Sequence, residues 1–140
     1  MNEKQILYPA LPMFLIFVGT FLRLAQLRFA AVSKGKMDPA YYRLFQGGEE
    51  PPEIRVVLRH FQNQFEVPPL FYVIVIIAYV TSSVNLWTVL LAWGYVLLRA
   101  VHTAVHLGSN DVMTRFRLYG GSILVLVVLW ASVFGQIVLR

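Results

Sequence analysis

The sequence predicts an all-α integral membrane protein, folded as an antiparallel four-helix bundle. Its 140 residues are 58% hydrophobic and 14% charged, with a mean hydropathy of +0.64, which is too apolar for a water-soluble domain of this length. The apolar residues form four long runs, and the last three are joined by short connections that make neighbouring helices antiparallel. We therefore expect one transmembrane domain over residues 1–140.

The four predicted spans cover residues 6–32, 56–80, 86–107 and 116–139. Each is long enough to cross a hydrocarbon core of about 30 Å. Between the first two spans, Ser33 to Glu53 is rich in charge, Gly and Pro, so we predict a loop there, with Pro51 or Pro52 opening the next helix. The apolar run Val67 to Val80 is too short to cross alone, so the second span must begin near Arg59 or earlier.

The distribution of basic residues predicts the orientation of the chain. One side of the predicted bundle carries most of them: Arg28, Lys34, Lys36, Arg43, Arg55, Arg59, Arg99, Arg115 and Arg117. The other side has only Lys4 and Arg140. Since cytoplasmic connections are enriched in Lys and Arg, we expect both termini outside the cytoplasm, in a multi-pass protein of a bacterial inner membrane. The net charge of +5 is scattered over helix ends, so no nucleic-acid partner is expected.

Polar side chains interrupt the start of the second span, in the stretch RHFQNQFEVPP. On one continuous helix, Arg59, Asn63 and Glu66 would lie within roughly 60° of one another. Glu66 would be the deepest of the three, and an ionised carboxylate near the middle of a span costs about 2.5 to 3.5 kcal/mol unless it faces the bundle interior and has a partner. The spacing therefore predicts a polar stripe that faces other helices.

The third and fourth spans repeat this pattern at the same membrane depth. In RAVHTAVHLG, Arg99, His102 and His106 share one helical face, and Arg115 and Tyr119 lie one turn apart near the start of the last helix. Together these groups would suit a small zwitterionic or anionic ligand with peptide-like groups. The alternative interpretation is that they are helix-end charges extending to lipid headgroups.

The absence of cysteine and the small number of histidines limit the thiol and metal chemistry that this chain can carry out. The chain has no cysteine, so any thiol must arrive on a ligand. His102 and His106 have the spacing of a metal-binding pair, but only His60 and one nearby carboxylate are at hand to complete a site. We therefore predict no metal from the sequence.

These motifs resemble those of the MAPEG family, the membrane-associated proteins in eicosanoid and glutathione metabolism. The resemblance rests on Arg59, Asn63 and Glu66 followed by Pro68, on RAVHTAVHLG, on the arginine at the start of the last helix, and on ALPMF in the first span. It covers nearly the whole chain, and the third-helix stretch is most similar to microsomal prostaglandin E synthase.

The resemblance implies a homotrimer that binds glutathione between neighbouring subunits near the cytoplasmic face. By similarity, Arg59, Asn63 and Glu66 would hold the glutathione backbone. His102, His106 and Tyr119 would add contacts, with Arg99 on the same helical face and Lys36 placed for a ligand carboxylate. Arg115 matches the arginine beside the glutathione sulfur, where a guanidinium favours the thiolate. A lipophilic co-substrate would reach that thiolate from the bilayer.

Three positions depart from the family pattern. Gln62 replaces a second arginine, His106 stands where tyrosine is common, and Phe116 follows Arg115 where the prostaglandin-synthase type has a serine. The last change argues against that isomerase reaction, so we predict a glutathione transferase or peroxidase acting on lipophilic electrophiles.

Two other functions stay open at this stage. One is a non-enzymatic lipid-binding or scaffold protein of the same family, against which the retention of the second-helix triplet and Arg115 argues. The other is a small proton-coupled exporter using Glu66 as its buried carboxylate. An exporter needs that carboxylate near the membrane midplane, whereas Glu66 shares its stripe with Arg59.

Overall fold

The structure, a computed structural model, describes residues 2–139 and confirms the all-α prediction. Within that range there are six α-helices and no strand: α1 Ala10–Ser33, α2 Tyr41–Leu44, α3 Pro52–Asn63, α4 Pro68–Val80, α5 Leu86–Leu107 and α6 Val112–Val138. A short 3-10 helix, Glu3–Leu7, precedes α1. Four segments are long and apolar enough to cross a membrane: Glu3–Ser33, Pro52–Val80, Leu86–Leu107 and Val112–Val138. The chain is therefore an integral membrane protein with four helical spans.

An ion pair connects the loop after the first span to α1. Arg28 donates through Nε and Nη2 to the two carboxylate oxygens of Glu50, at 2.8 and 3.2 Å, and Glu50 is only 4% exposed. The Arg28 guanidinium also lies 5.3 Å from the centre of the Tyr42 ring. Burial, followed by the charge of Glu50, raises the pKa of Tyr42 above its ordinary value. The polar loop is thus held at the end of the bundle.

The second span is interrupted, which corrects the expectation of one continuous helix. α3 ends at Asn63, a turn covers residues 64–67, and α4 begins at Pro68. The cause is local, because Pro68 and Pro69 have no N–H for the carbonyls of Gln64 and Phe65, and their rings clash with a helical turn. The expectation that Arg59, Asn63 and Glu66 share one helix is therefore wrong, since Glu66 lies in the turn.

The connections flanking α5 are tight and capped. Asn85 begins α5 with a reciprocal cap, in which its side chain accepts from the Thr88 backbone N–H and Thr88 Oγ1 accepts from the Asn85 N–H. Asp111 caps α6 by accepting from the Thr114 N–H at 2.8 Å. α6 therefore begins at Val112, one turn earlier than the predicted residue 116, and Arg115 is already helical.

Apolar packing forms two separate clusters, and several further buried side chains are polar. The larger cluster joins α1, α4, α5, α6 and the 3-10 helix, with Phe71 and Tyr95 stacked at 4.6 Å. The smaller one joins α1 and α3 through Leu24, Ala31, Ile54 and Val57. Buried polar side chains include His60, Gln64, Arg99, His102 and His106. Buried polar side chains are costly in an apolar bundle, so they indicate a functional region.

Candidate functional site

A cavity of about 470 Å³ opens at the end of the bundle where α3, α5 and α6 meet. Its volume lies in the range of about 300 to 1,000 Å³ that is typical of small-ligand sites. Its lining is mostly polar and charged: Arg59, Gln62, Asn63, Glu66, His102, His106, Val112, Arg115, Phe116 and Tyr119.

Seven of the nine residues predicted from the sequence line this single cavity: Arg59, Asn63, Glu66, His102, His106, Arg115 and Tyr119. They come from α3, the 64–67 turn, the C-terminal half of α5 and the first two turns of α6. Although the second span is interrupted, the turn still directs Glu66 to the same cavity as Arg59. The structure therefore assembles residues that are up to 60 positions apart in sequence, from 59 to 119.

Arg115 is positioned by the connection between α5 and α6. Its Nη1 donates to Asn110 Oδ1 at 2.6 Å. Asn110 has a φ of 52°, a left-handed conformation that asparagine tolerates, and its N–H donates to the Val105 carbonyl at 2.8 Å. The guanidinium is thus fixed from one side, and Arg115 still lines the cavity.

Glu66 and Tyr119 link the turn in the second span to α6. The Tyr119 hydroxyl donates to Glu66 Oε2 at 3.2 Å, and both side chains line the cavity. Glu66 is exposed in the protomer, so it is accessible to a ligand. With Arg59 and Arg115 the cavity offers two cations and one carboxylate, which is suited to a ligand bearing both signs of charge.

Arg99 lies behind the cavity rather than in its lining. It is 0% exposed, and its guanidinium carbon is 5.4 Å from the centre of the Tyr119 ring. None of its three side-chain nitrogens has a hydrogen-bond partner among residues 2–139. Arg99 therefore supports Tyr119 by a cation–π contact and adds positive potential to this end of the bundle.

Lys36 is the other predicted residue outside the cavity. It lines a separate cavity of about 100 Å³ between the end of α1 and the start of α3, together with Lys34, Glu53 and Ile54. Its role toward a ligand carboxylate stays a prediction that depends on the neighbouring subunit of a trimer.

Three neighbours of the site were not assigned a role from the sequence. His60 and Gln64 are buried beside His102 and His106, and Asn110 holds Arg115. His60 and Gln64 are four residues apart, so the spacing indicated a second polar pair, although Gln64 lies just beyond the end of α3. The role of Asn110 depends on the left-handed turn, for which the sequence GSND gives only a general turn signal.

These features define a class: a four-span membrane protein with a charged ligand cavity at one end of its bundle. The sequence matches the MAPEG family over residues 6–135, and the chain belongs to that family. No curated protein and no solved structure matched the chain.

Proposed function

We propose that the protein is a membrane-bound, glutathione-dependent transferase or peroxidase that acts on lipophilic electrophiles. The observation that carries the proposal is the single cavity that combines Arg59, Asn63, Glu66 and Arg115. Membership of the MAPEG family supports glutathione as the ligand, since members of the family use it as substrate or cofactor.

The charges of the cavity complement those of glutathione. Glutathione carries two carboxylates, one ammonium group and a thiol. Arg59 and Asn63 would bind a carboxylate and a peptide group, and Glu66 would bind the ammonium. His102, His106 and Tyr119 would add hydrogen bonds from the opposite wall. With Arg59 and Arg115 positive and Glu66 negative, the lining has a formal charge of +1, which favours an anionic ligand.

Arg115 is the residue proposed to activate the thiol. A guanidinium beside the sulfur stabilises the thiolate, and each unit by which the thiol pKa falls corresponds to about 1.4 kcal/mol. In a transferase reaction the thiolate would form a bond to an electrophilic carbon while the leaving group departs with its electron pair. In a peroxidase reaction it would attack a hydroperoxide oxygen, and the O–O bond would break with release of the alcohol after protonation. A second glutathione thiol would then displace water from the resulting sulfenic acid to give the disulfide.

The proposal includes a homotrimer in which neighbouring subunits share each site. Within the protomer, between 22% and 33% of the residues in the most apolar part of each span are buried, so the other residues keep some surface for contact with lipid or with other subunits. An adjacent copy would bring Lys36 toward a ligand carboxylate, and the exposed Glu66 would be covered on assembly.

The substitution Arg115→Ala tests the assignment directly. We expect the ultraviolet absorbance of the glutathione thiolate to disappear, while calorimetry still detects glutathione binding through Arg59, Asn63 and Glu66. Arg117→Ala is the matched control, because Arg117 is exposed on the same helix and does not line the cavity.

Two results would contradict the proposal. Undiminished thiolate absorbance in Arg115→Ala would remove that residue from thiol activation. Absence of saturable glutathione binding to the parent protein, with a plain tripeptide and oxidised glutathione as controls, would favour a scaffold function instead.

The exporter alternative is disfavoured by the surroundings of Glu66. The carboxylate lies in a turn beside Arg59 and Arg115, and it already accepts a hydrogen bond from Tyr119. A proton-carrying carboxylate requires an apolar environment near the membrane centre instead.

A further inference from the structure

Three imidazoles meet inside the bundle next to the cavity. The chain has three histidines, His60, His102 and His106, and all of them belong to this cluster. They are 0%, 1% and 1% exposed. One ring nitrogen from each lies within 4.8 Å of the others, and the ring centres are 4.8 to 5.6 Å apart.

Hydrogen bonding within the protein leaves this cluster incompletely satisfied. His60 Nδ1 and His106 Nδ1 are 3.2 Å apart, so one of them can donate to the other. His102 Nδ1 and His106 Nε2 are buried and have no hydrogen-bond partner anywhere in residues 2–139. Buried polar atoms in proteins almost always have a partner, so a ligand that binds His102 Nδ1 would complete the cluster. His106 Nε2 lies across its ring from Nδ1, so it would carry the ring proton when Nδ1 binds that ligand.

We propose that His60, His102 and His106 form a binding site for a divalent transition metal of the zinc class. Two imidazole nitrogens bound to one tetrahedral zinc at about 2.0 to 2.1 Å lie roughly 3.4 Å apart. The observed 3.2 Å between His60 Nδ1 and His106 Nδ1 fits this geometry. The third imidazole, His102, comes from the same face of α5 as His106, one helical turn away, and its ring centre lies 5.5 Å from that of His106 and 5.6 Å from that of His60.

Gln64 is placed to orient the His60 ring. Its side-chain amide lies 3.0 Å from His60 Nε2, and its Oε1 has no partner in the part of the chain described. The amide orientation is exchangeable, and with Oε1 turned toward Nε2 the glutamine accepts the Nε2 proton. This leaves the lone pair of His60 Nδ1 free for a metal, as is usual for metal-binding histidines.

The residues around the three histidines indicate what could occupy the fourth coordination position of a bound metal. His102 and His106 also line the cavity, so a metal on their inner edge would present its open position toward the ligand space. The three imidazoles are neutral ligands, and Arg59, Arg99 and Arg115 lie nearby. The positive surroundings therefore favour an anionic fourth ligand, such as hydroxide or a thiolate. Three histidines with an open position are a known arrangement for catalytic zinc.

The test is cobalt binding to the full chain in detergent, purified with a tag that lacks histidine and freed of metal beforehand. No glutathione is added, so the result is independent of the proposed function. We expect one Co²⁺ per chain, with the visible ligand-field absorption of a tetrahedral site, displaced by one equivalent of Zn²⁺.

Three variants define the ligands. His60→Gln and His106→Tyr are expected to abolish the absorption, and Gln64→Leu to weaken Co²⁺ binding by about 10- to 100-fold. Glu53→Gln is the matched control, because Glu53 is an exposed carboxylate on α3 that does not line the cavity, and this variant should bind Co²⁺ like the parent.

The parent protein alone can overturn the proposal. Absence of a saturable site at one Co²⁺ per chain would mean that the cluster is only a buried hydrogen-bonded network. Undiminished absorption in His106→Tyr, a variant whose fold is checked by size-exclusion chromatography, would exclude these ligands. Loss of binding in Glu53→Gln would show that Co²⁺ binds to carboxylates outside the cluster, which also contradicts the proposal.

Discussion

Tyr119 connects two features of the site, since its hydroxyl bonds Glu66 and its ring covers Arg99. Tyr119→Phe removes the first contact and keeps the second. A hydrogen bond of this kind contributes about 0.5 to 1.5 kcal/mol, so we expect the glutathione dissociation constant to rise by about 2- to 10-fold in calorimetry. Tyr8→Phe, at an exposed position outside the cavity, serves as the control. An unchanged affinity would remove the hydroxyl from the site.

Asp111 gives the start of α6 a defined pH dependence. Hydrogen bonds from Thr114 to this carboxylate hold the pKa of Asp111 below its ordinary value. Because the pKa is lower in the folded state, the stabilisation is present above the unfolded pKa of about 3.9 and is lost as the pH falls through the lower folded value.

The comparison with Asp111→Asn measures this effect, because asparagine keeps the cap without the charge. Thermal unfolding in detergent should show that the parent's advantage over the variant shrinks as the pH is lowered below about 4. A difference that does not change with pH would show that the charge of Asp111 contributes nothing to the cap.

At the level of elements, the α5–α6 connection controls the placement of Arg115. A Cβ built on Gly108 would lie 2.8 Å from the backbone carbonyl oxygen of Ala104, which cannot move without disturbing α5. We expect Gly108→Ala to destabilise the protein by about 1 to 3 kcal/mol and to reduce thiolate absorbance, since Asn110 follows two residues later. Unfolding temperature and glutathione absorbance measure the two effects.

Gly19→Ala is the matched control for that substitution. Gly19 is inside α1, and nothing lies within 4 Å of the added Cβ. Its replacement should leave stability unchanged or raise it by about 0.5 to 1 kcal/mol, as expected for glycine in a helix interior. Equal behaviour of the two variants would show that the Gly108 backbone adapts freely.

The elements also show what sequence could and could not predict. Four spans followed from apolar run lengths, and seven cavity residues followed from spacings of three and four, because both are local properties of helices. The interruption at residues 64–67 was missed although its cause, Pro68 and Pro69, was visible, since a proline pair can either bend a helix or end it. His60 lies next to α5 because of the way in which α3 and α5 pack together. The spacing of residues within one helix does not specify that packing.

For the molecule as a whole, the structure places the N-terminal segment beside the turn between α4 and α5. Ser82 Oγ donates to the Glu3 carboxylate at 3.3 Å, and Asn85 and Leu139 line one shared cavity. The loop at residues 34–51 and the α5–α6 connection lie at the other ends of the same helices. The basic residues of the sequence are concentrated at the end that contains the 34–51 loop and the α5–α6 connection, and the orientation of that end stays a prediction.

Single introduced cysteines can test that orientation, because the chain has no cysteine of its own that would also react with the label. Gly48→Cys lies in the basic loop, and Leu139→Cys lies at the opposite end and is 88% exposed in the parent structure. In intact cells we expect a membrane-impermeant maleimide to label Leu139→Cys, and to label Gly48→Cys only after permeabilisation. The reverse pattern would invert the topology and place the glutathione cavity outside the cytoplasm.

The interrupted second span has a mechanical consequence. Membranes differ in thickness, and a spanning helix adjusts to them mainly by tilting. A continuous helix would tilt as one unit, so every side chain along it would move with the tilt. Here α3, which bears Arg59 and Asn63, is joined to α4 by a four-residue turn at 64–67. We therefore expect α4 to adjust its angle to bilayer thickness with less displacement of Arg59 and Asn63 than one continuous helix would cause.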